Sequence, residues 1–288
     1  MKNWLDKNEY PFEHHYIEVD DRKLHYADEG SGPAILFVHG TPSWSFDFRK
    51  VIKNLRSGYR CIAPDHLGFG LSDKDALIDY SCGAHVRRLE GLIAALGLRS
   101  FHLVVHDFGG PIGLQVAQNT PSLIESITVL NSWMWSTEGE PSYERLKKML
   151  KSPLLPLLYK YLNFSARFIL PASFGEKKIK RSILSHYTRP FASVSERSGT
   201  LAFARSLVDD QHWFGSLWQN RDKIAGNPAC LIWGMQDKII GPSGLDRFAG
   251  VFKNWEINKI ETAGHFPQEE AGDEVSAILE KFLDGLGK

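Results

Sequence analysis

The chain is poor in cysteine. Its three, Cys61, Cys82 and Cys230, are scattered and odd in number. That argues against a disulfide framework and fits a reducing compartment. Each reads as a small core residue rather than a nucleophile or ligand. Neither charge sign is in excess, since Lys plus Arg and Asp plus Glu both total 34. Nothing points to nucleic acid or to an anionic membrane, and neither is expected as a partner. Long apolar runs are also missing. The greasiest stretch, Leu154 to Leu170, is broken by Pro156, Lys160 and Arg167, so no segment is expected to span a bilayer. Met1 to Lys7 lacks the apolar heart of a signal peptide. A soluble, cytoplasmic protein is the expectation. There is no internal repeat and no low-complexity segment.

What is present is the composition of a globular domain, 43% hydrophobic and 24% charged over 288 residues. That length suits one large α/β domain or a domain with an insertion. Tyr16–Val19 and Lys23–Tyr26 flank Asp20-Asp21-Arg22, a hairpin signal. Short stretches at Ala34–Val38, Tyr59–Ala63, Phe101–Val105, Ser126–Leu130, Ala229–Gly234 and Trp255–Ile260 read as strands. Helical spacing appears at Ala84–Leu96, Ile112–Gln118, near Gly244–Phe252 and around Asp273–Leu283. Strands alternating with helices imply a largely parallel sheet covered on both faces. From Ser132 to Ile224 strand patterns stop, and helical, aromatic and Pro-punctuated stretches take over. The expected division is a core of residues 1–131 and 225–288 with an inserted helical cap of residues 132–224.

The chemistry is expected at His106-Asp107-Phe108-Gly109-Gly110. Strand, tight turn and helix form the frame of a nucleophile elbow, with Asp107 at the apex where Ser is usual. The flanks of so tight a turn must be small, hence the glycines. The N–H of Phe108 lies at a helix N-terminus, where it can stabilise negative charge. Read alone, Asp107 is equally a helix cap. Two later residues change that balance. Asp237 and His265 each follow a strand, in the order nucleophile, acid, His. Ligand sites in open parallel sheets lie beyond the carboxyl ends of strands, so the three are expected to converge. Thr41, in His39-Gly40-Thr41-Pro42, is expected to give a second backbone N–H for an oxyanion hole, with His39 bracing that loop. The Gly-rich loop Asp65–Asp73 lacks the Lys of a phosphate loop and reads as structural.

With these residues in view, the sequence resembles the haloalkane dehalogenases, α/β-hydrolases whose Asp-nucleophile branch also includes epoxide hydrolases. The resemblance runs along nearly the whole chain. Its carriers are Val38–Phe46, Ala63–Asp73, Val105–Gly110, Trp233–Lys238, Ala263–Phe266 and, in the cap, Tyr187–Phe191. It implies an α/β-hydrolase fold, with a mostly parallel eight-stranded sheet flanked by helices. It also implies that Asp107 forms an alkyl ester and that His265, held by Asp237, activates the water that cleaves it. No metal or organic cofactor is then required, and the partner is a small apolar organic substrate. A monomer or weak homo-oligomer is expected.

Two departures stand out. Dehalogenases usually hold the departing halide with a Trp after the nucleophile and either an Asn after His-Gly or a Trp from the cap; at the first two places this chain has Phe108 and Thr41. Losing a charge-assisted donor to a buried halide costs on the order of 1.5–3 kcal/mol. Trp133, Trp135, Trp213 and Trp218 are the candidate replacements. Epoxide or strained-lactone hydrolysis by the same triad is the alternative, with Tyr143, Tyr159, Tyr161 and Tyr187 as candidate acids. Ranked below it are a non-catalytic binding protein on a hydrolase fold and a luciferase-like oxygenase.

Overall fold

The structure is a computed structural model and describes residues 4–287. Residues 1–3, part of the stretch read against a signal peptide, lie outside the described residues. β1 (His15–Val19) and β2 (Arg22–Glu29) pair as the expected antiparallel hairpin. Asp20 and Asp21 between them both have left-handed φ, 52° and 56°. A two-residue turn of that hand matches the twist of its strands, and Asp tolerates the conformation.

β3 (Ala34–Val38), β4 (Arg60–Pro64), β5 (Phe101–Asp107), β6 (Ile124–Ser132), β7 (Ala229–Gly234) and β8 (Trp255–Ile260) complete one eight-stranded sheet. The order is β1-β2-β4-β3-β5-β6-β7-β8. β2 meets β4 antiparallel, and every pairing from there on is parallel. From β3 the chain runs first to β4 on one side and then to β5 on the other. The carboxyl ends of β3 and β5 therefore flank a topological switch point, where such sheets open a crevice.

Strand alternation divides the core. Leu36, Val38, Leu103 and Val105 face one layer, with Leu89 and Leu92 of α2 (Cys82–Ala95) and Ile112 of α3 (Gly109–Asn119). Ile35, Phe37 and Val104 face the other, with Val51 and Ile52 of α1 (Arg49–Leu55) and with Leu279 of the C-terminal helix, Gly272–Gly285. Each such side chain contributes about 1.5–3 kcal/mol on full burial. Pro111 falls in the first turn of α3, where no N–H is needed.

Between β6 and β7 the described residues form no strand. They fold as α4 (Pro141–Leu150), α5 (Leu155–Leu162), α6 (Leu170–Ala172), α7 (Arg181–Thr188), α8 (Ser198–Asp209) and α9 (Gln211–Gln219), with short tighter or wider turns between. Leu150, Leu155, Tyr159, Leu201 and Ala204 make a small core of their own there. α10 (Pro242–Ala249), α11 (Pro267–Glu270) and α12 (Gly272–Gly285) close the chain. No helix among the described residues is long and apolar enough to cross a membrane.

Candidate active site

β5 ends on Asp107, whose φ of 50° is left-handed. A non-Gly residue there is held by its surroundings. Ser132 Oγ donates to the Asp107 carbonyl at 2.7 Å. The turn leaves no room beside it: a Cβ on Gly109 would fall on the Val38 carbonyl, and one on Gly110 on the Ser132 hydroxyl. The Asp107 side chain thus projects from the sheet edge at the switch point.

Thr41, just past β3, donates its N–H to Asp107 Oδ1 at 2.7 Å. Among the described residues Phe108, the other expected donor, makes no hydrogen bond to that carboxylate. His265 Nε2 lies 3.2 Å from Asp107 Oδ2, and His265 Nδ1 lies 2.7 Å from Asp237 Oδ2. Asp107, His265 and Asp237 therefore form one hydrogen-bonded chain, all buried. Asp237 Oδ1 accepts from the N–H groups of Ile239 (2.7 Å) and Ile240 (3.1 Å).

The electrostatics follow from these contacts. Burial alone would raise the Asp237 carboxyl, but the His265 charge, its hydrogen bond and the two backbone N–H groups hold it below the usual range. Burial alone would lower His265. The Asp237 charge, hydrogen bonds to Asp107 and Asp237, and the Asp107 charge outweigh it and push the imidazole up to about 10. The His265 loop is pinned on three sides. His265 N–H donates to the Ser173 carbonyl at 2.9 Å, Gly264 N–H to Glu270 at 2.9 Å, and His106 Nε2–H to the His265 carbonyl at 2.6 Å.

His39 braces its loop. Nδ1–H donates to the Gly40 carbonyl at 2.7 Å and Nε2 accepts from the His66 N–H at 3.0 Å. Burial lowers its pKa, which suits that neutral tautomer.

A cavity of about 510 Å3 opens over Asp107, His265, Thr41 and Phe108. Of the four candidate tryptophans, Trp133 and Trp135 line it and Trp213 and Trp218 do not. Trp213 packs on Phe214. Trp218 stands edge-on to Trp135, with the Arg221 guanidinium over its ring. Both pack against the core away from the cavity. The Trp133 ring meets Phe108 at 83°, centroids 4.8 Å apart. Its indole N–H has no hydrogen-bond partner among the described residues. Tyr143 and Tyr159 line the cavity, whereas Tyr161 is exposed. Tyr187 is buried on Glu269 (2.6 Å) and Asp47 (3.2 Å). Among the described residues no group of three or more His, Cys, Asp or Glu is placed to hold a metal ion.

The model of the alpha/beta hydrolase fold family matches residues 33–272. Haloalkane dehalogenase 2 of Mycobacterium tuberculosis is 31% identical over 282 residues, 96% of this chain and 97% of that protein. This chain belongs to the α/β-hydrolases, among the haloalkane dehalogenase-like enzymes. A cis-3-alkyl-4-alkyloxetan-2-one decarboxylase of Shewanella oneidensis is 30% identical over 95% of this chain and 89% of its own. The crystal structure of haloalkane dehalogenase DatA from Agrobacterium tumefaciens shares the fold, with a TM-score of 0.87, 22% identity, and coverage of 98% of this chain and 100% of that one. Membership among these enzymes sets aside the non-catalytic binding reading.

One residue of this hydrolase site escapes the sequence reading. Asn131, at the end of β6, has a left-handed φ of 28°. Its Nδ2 donates to Asp237 Oδ2 at 2.8 Å and its Oδ1 accepts from the Gly234 N–H at 2.8 Å. The available signal was Asn itself, which takes positive φ more readily than most residues, beyond an apolar strand.

Proposed function

We propose that this hydrolase is a haloalkane dehalogenase, converting a haloalkane and water to an alcohol and halide. The observation that carries the reading is the hydrogen-bonded chain Asp107–His265–Asp237 under an apolar cavity. Asp107 Oδ2 attacks the sp³ carbon, the carbon–halogen bond breaks, and the halide leaves with the electron pair. Esterification removes the Asp107 charge that helps keep His265 protonated. His265 then releases its proton to solvent, which with the departed halide makes up the HX of the overall reaction, and becomes a base, its imidazolium form still supported by Asp237. It deprotonates a water that attacks the ester carbonyl carbon of Asp107. The oxyanion develops on Oδ1, where the Thr41 N–H already sits, with the Phe108 N–H as the second donor. Collapse releases the alkoxide, which takes the proton back from His265, and the carboxylic acid left on Asp107 passes its own proton to His265, restoring the starting carboxylate and imidazolium. Trp133 supplies the halide donor that residue 108 lacks, since it lines the cavity beside Phe108 and its indole N–H has no hydrogen-bond partner among the described residues.

The helices between residues 132 and 224 act as a cap that closes the cavity. The three unpaired, buried cysteines suit a cytoplasmic location.

A second reading rests on Tyr143 and Tyr159, which share the cavity with Asp107, and on the relative named for oxetan-2-ones. In it Asp107 opens a strained lactone or epoxide, and a tyrosine hydroxyl meets the leaving oxygen.

The deciding experiment is bromide release from short and medium bromoalkanes, with Asp107→Ala as control. Bromide leaves more readily than chloride and depends less on a Trp donor. Asp107-dependent release supports dehalogenation. A folded protein that releases none, yet opens oxetan-2-ones or epoxides, reverses the order of the two readings.

A further inference from the structure

α5 is apolar on both faces. Leu155 and Tyr159 turn inward to Leu150, Leu201 and Ala204. Leu154, Leu157 and Tyr161, at helical spacing i, i+3 and i+7, are 63%, 51% and 65% exposed. Leu162, Met149 and Phe168 are exposed beside them. Phe168 stacks on Phe164, which meets Tyr159, so the patch is continuous with α5. Twelve large apolar side chains are exposed among the described residues, and six of them lie in residues 149–168. That is a concentration, and exposed apolar concentrations mark interaction sites.

The charge around the patch is equally segregated. Residues 147–168 hold Lys147, Lys148, Lys151, Lys160 and Arg167 and no acidic residue. Extended to Arg181 the run has nine basic residues and one acidic, Glu176, a net +8 in a chain whose total is zero. Lys148, Lys151, Lys160 and Arg167 make no ion pair among the described residues and are exposed.

We propose that this face docks on an anionic lipid surface, with the apolar side chains of α5 in the interface and the Lys and Arg side chains on the headgroups. The combination of Leu, Tyr and Phe flanked by unpaired basic residues is the chemistry of interfacial helices. A second copy presenting the same face would bring like charges together. The patch also borders the catalytic cavity: Met149 is both exposed and part of the lining, and Tyr159 lines it from the inner side of α5. An apolar substrate dissolved in a bilayer would therefore meet the cavity mouth directly. The inference does not depend on which leaving group Asp107 expels.

Vesicle flotation tests it. Wild type is expected to float with phosphatidylcholine vesicles holding about a third phosphatidylglycerol, and not with phosphatidylcholine alone. Binding is expected to fade as salt rises from about 0.1 M to about 0.5 M. Lys160→Glu with Arg167→Glu should weaken binding by at least about fivefold per charge. Leu157→Ser with Tyr161→Ser should weaken it at least about tenfold at unchanged salt, since both positions lose apolar contact with the lipid. These sites are exposed, so a thermal melt matching wild type shows that each variant is folded. Absence of wild-type binding to anionic vesicles overturns the proposal. So does binding that both double variants retain, or self-association of wild type that they abolish while lipid binding is absent.

Discussion

Asn131 Nδ2 and His265 Nδ1 both address Asp237 Oδ2, at 2.8 and 2.7 Å. The carboxylate is thus held by a neutral amide on one side while it orients the imidazole on the other. Asn131 also accepts the Gly234 N–H, so it ties the end of β6 to the end of β7. Asn131→Ala removes these bonds, together with the Nδ2 bond to the Gly234 carbonyl at 3.2 Å, and leaves the buried Gly234 N–H without a partner. The expected stability loss is about 1–3 kcal/mol by chemical denaturation. A fall in kcat of at least about tenfold, with KM little changed, is expected from the loosened Asp237. Wild-type kcat in a folded Asn131→Ala variant would show that Asp237 needs no such support.

His265→Phe separates the two halves of the reaction. Alkylation needs only Asp107, whereas ester hydrolysis needs the base. About one bromide per protein molecule should be released and then release should stop. Intact-mass measurement should find the alkyl group on the peptide carrying Asp107. Burst-free, steady turnover in this variant would remove His265 from the hydrolytic step.

The pH dependence has a definite sign. His265 is pushed up to about 10 in the folded protein, above the ordinary imidazole value of about 6.5. A raised folded pKa contributes stability that is fully present below about pH 6.5 and is lost as pH rises through about 10. Melting temperature should therefore fall across that window. Asp107→Asn removes the Asp107 charge and mimics the neutral ester, so His265 should titrate at lower pH by NMR, and the fall should be smaller and end at lower pH. An unchanged His265 titration in Asp107→Asn would remove the charge switch on which the base depends.

The central strands were legible because they are short apolar runs bounded by turn residues and the sheet there is buried on both faces, whereas the edge strands β1 and β8 are partly exposed. Asp107, Asp237 and His265 were legible because each stands at or beyond the end of a strand pattern. The tryptophans were not separable: all four sit outside the strand pattern, and only packing sends Trp133 and Trp135 to the cavity and Trp213 and Trp218 away from it. Asn131 was passed over because its role depends on φ at one residue. Net charge is a coarse guide. A total of zero conceals a run of net +8 between Lys147 and Arg181, balanced elsewhere in the chain. The expectation of no membrane partner is drawn from the sum alone.

Trp133→Phe tests the halide donor with little change in shape. Phe108 is already packed tightly, stacked on Phe203 at 4.4 Å and edge-on to Trp133. Introducing the indole at residue 108 would overpack this site at about 1–3 kcal/mol, so removing the N–H at 133 is the cleaner experiment. A lost charge-assisted hydrogen bond is worth about 1.5–3 kcal/mol. Bromide release should therefore fall about ten- to a hundredfold in kcat/KM by that arithmetic. Chloroalkanes should suffer more than bromoalkanes, because chloride is the poorer leaving group and leans harder on the donor. Ring opening of an oxetan-2-one expels a carboxylate, not a halide, and should respond differently if a tyrosine meets the leaving oxygen. Equal loss on all three substrates would point to a packing role for Trp133 and leave the halide without a donor in this site.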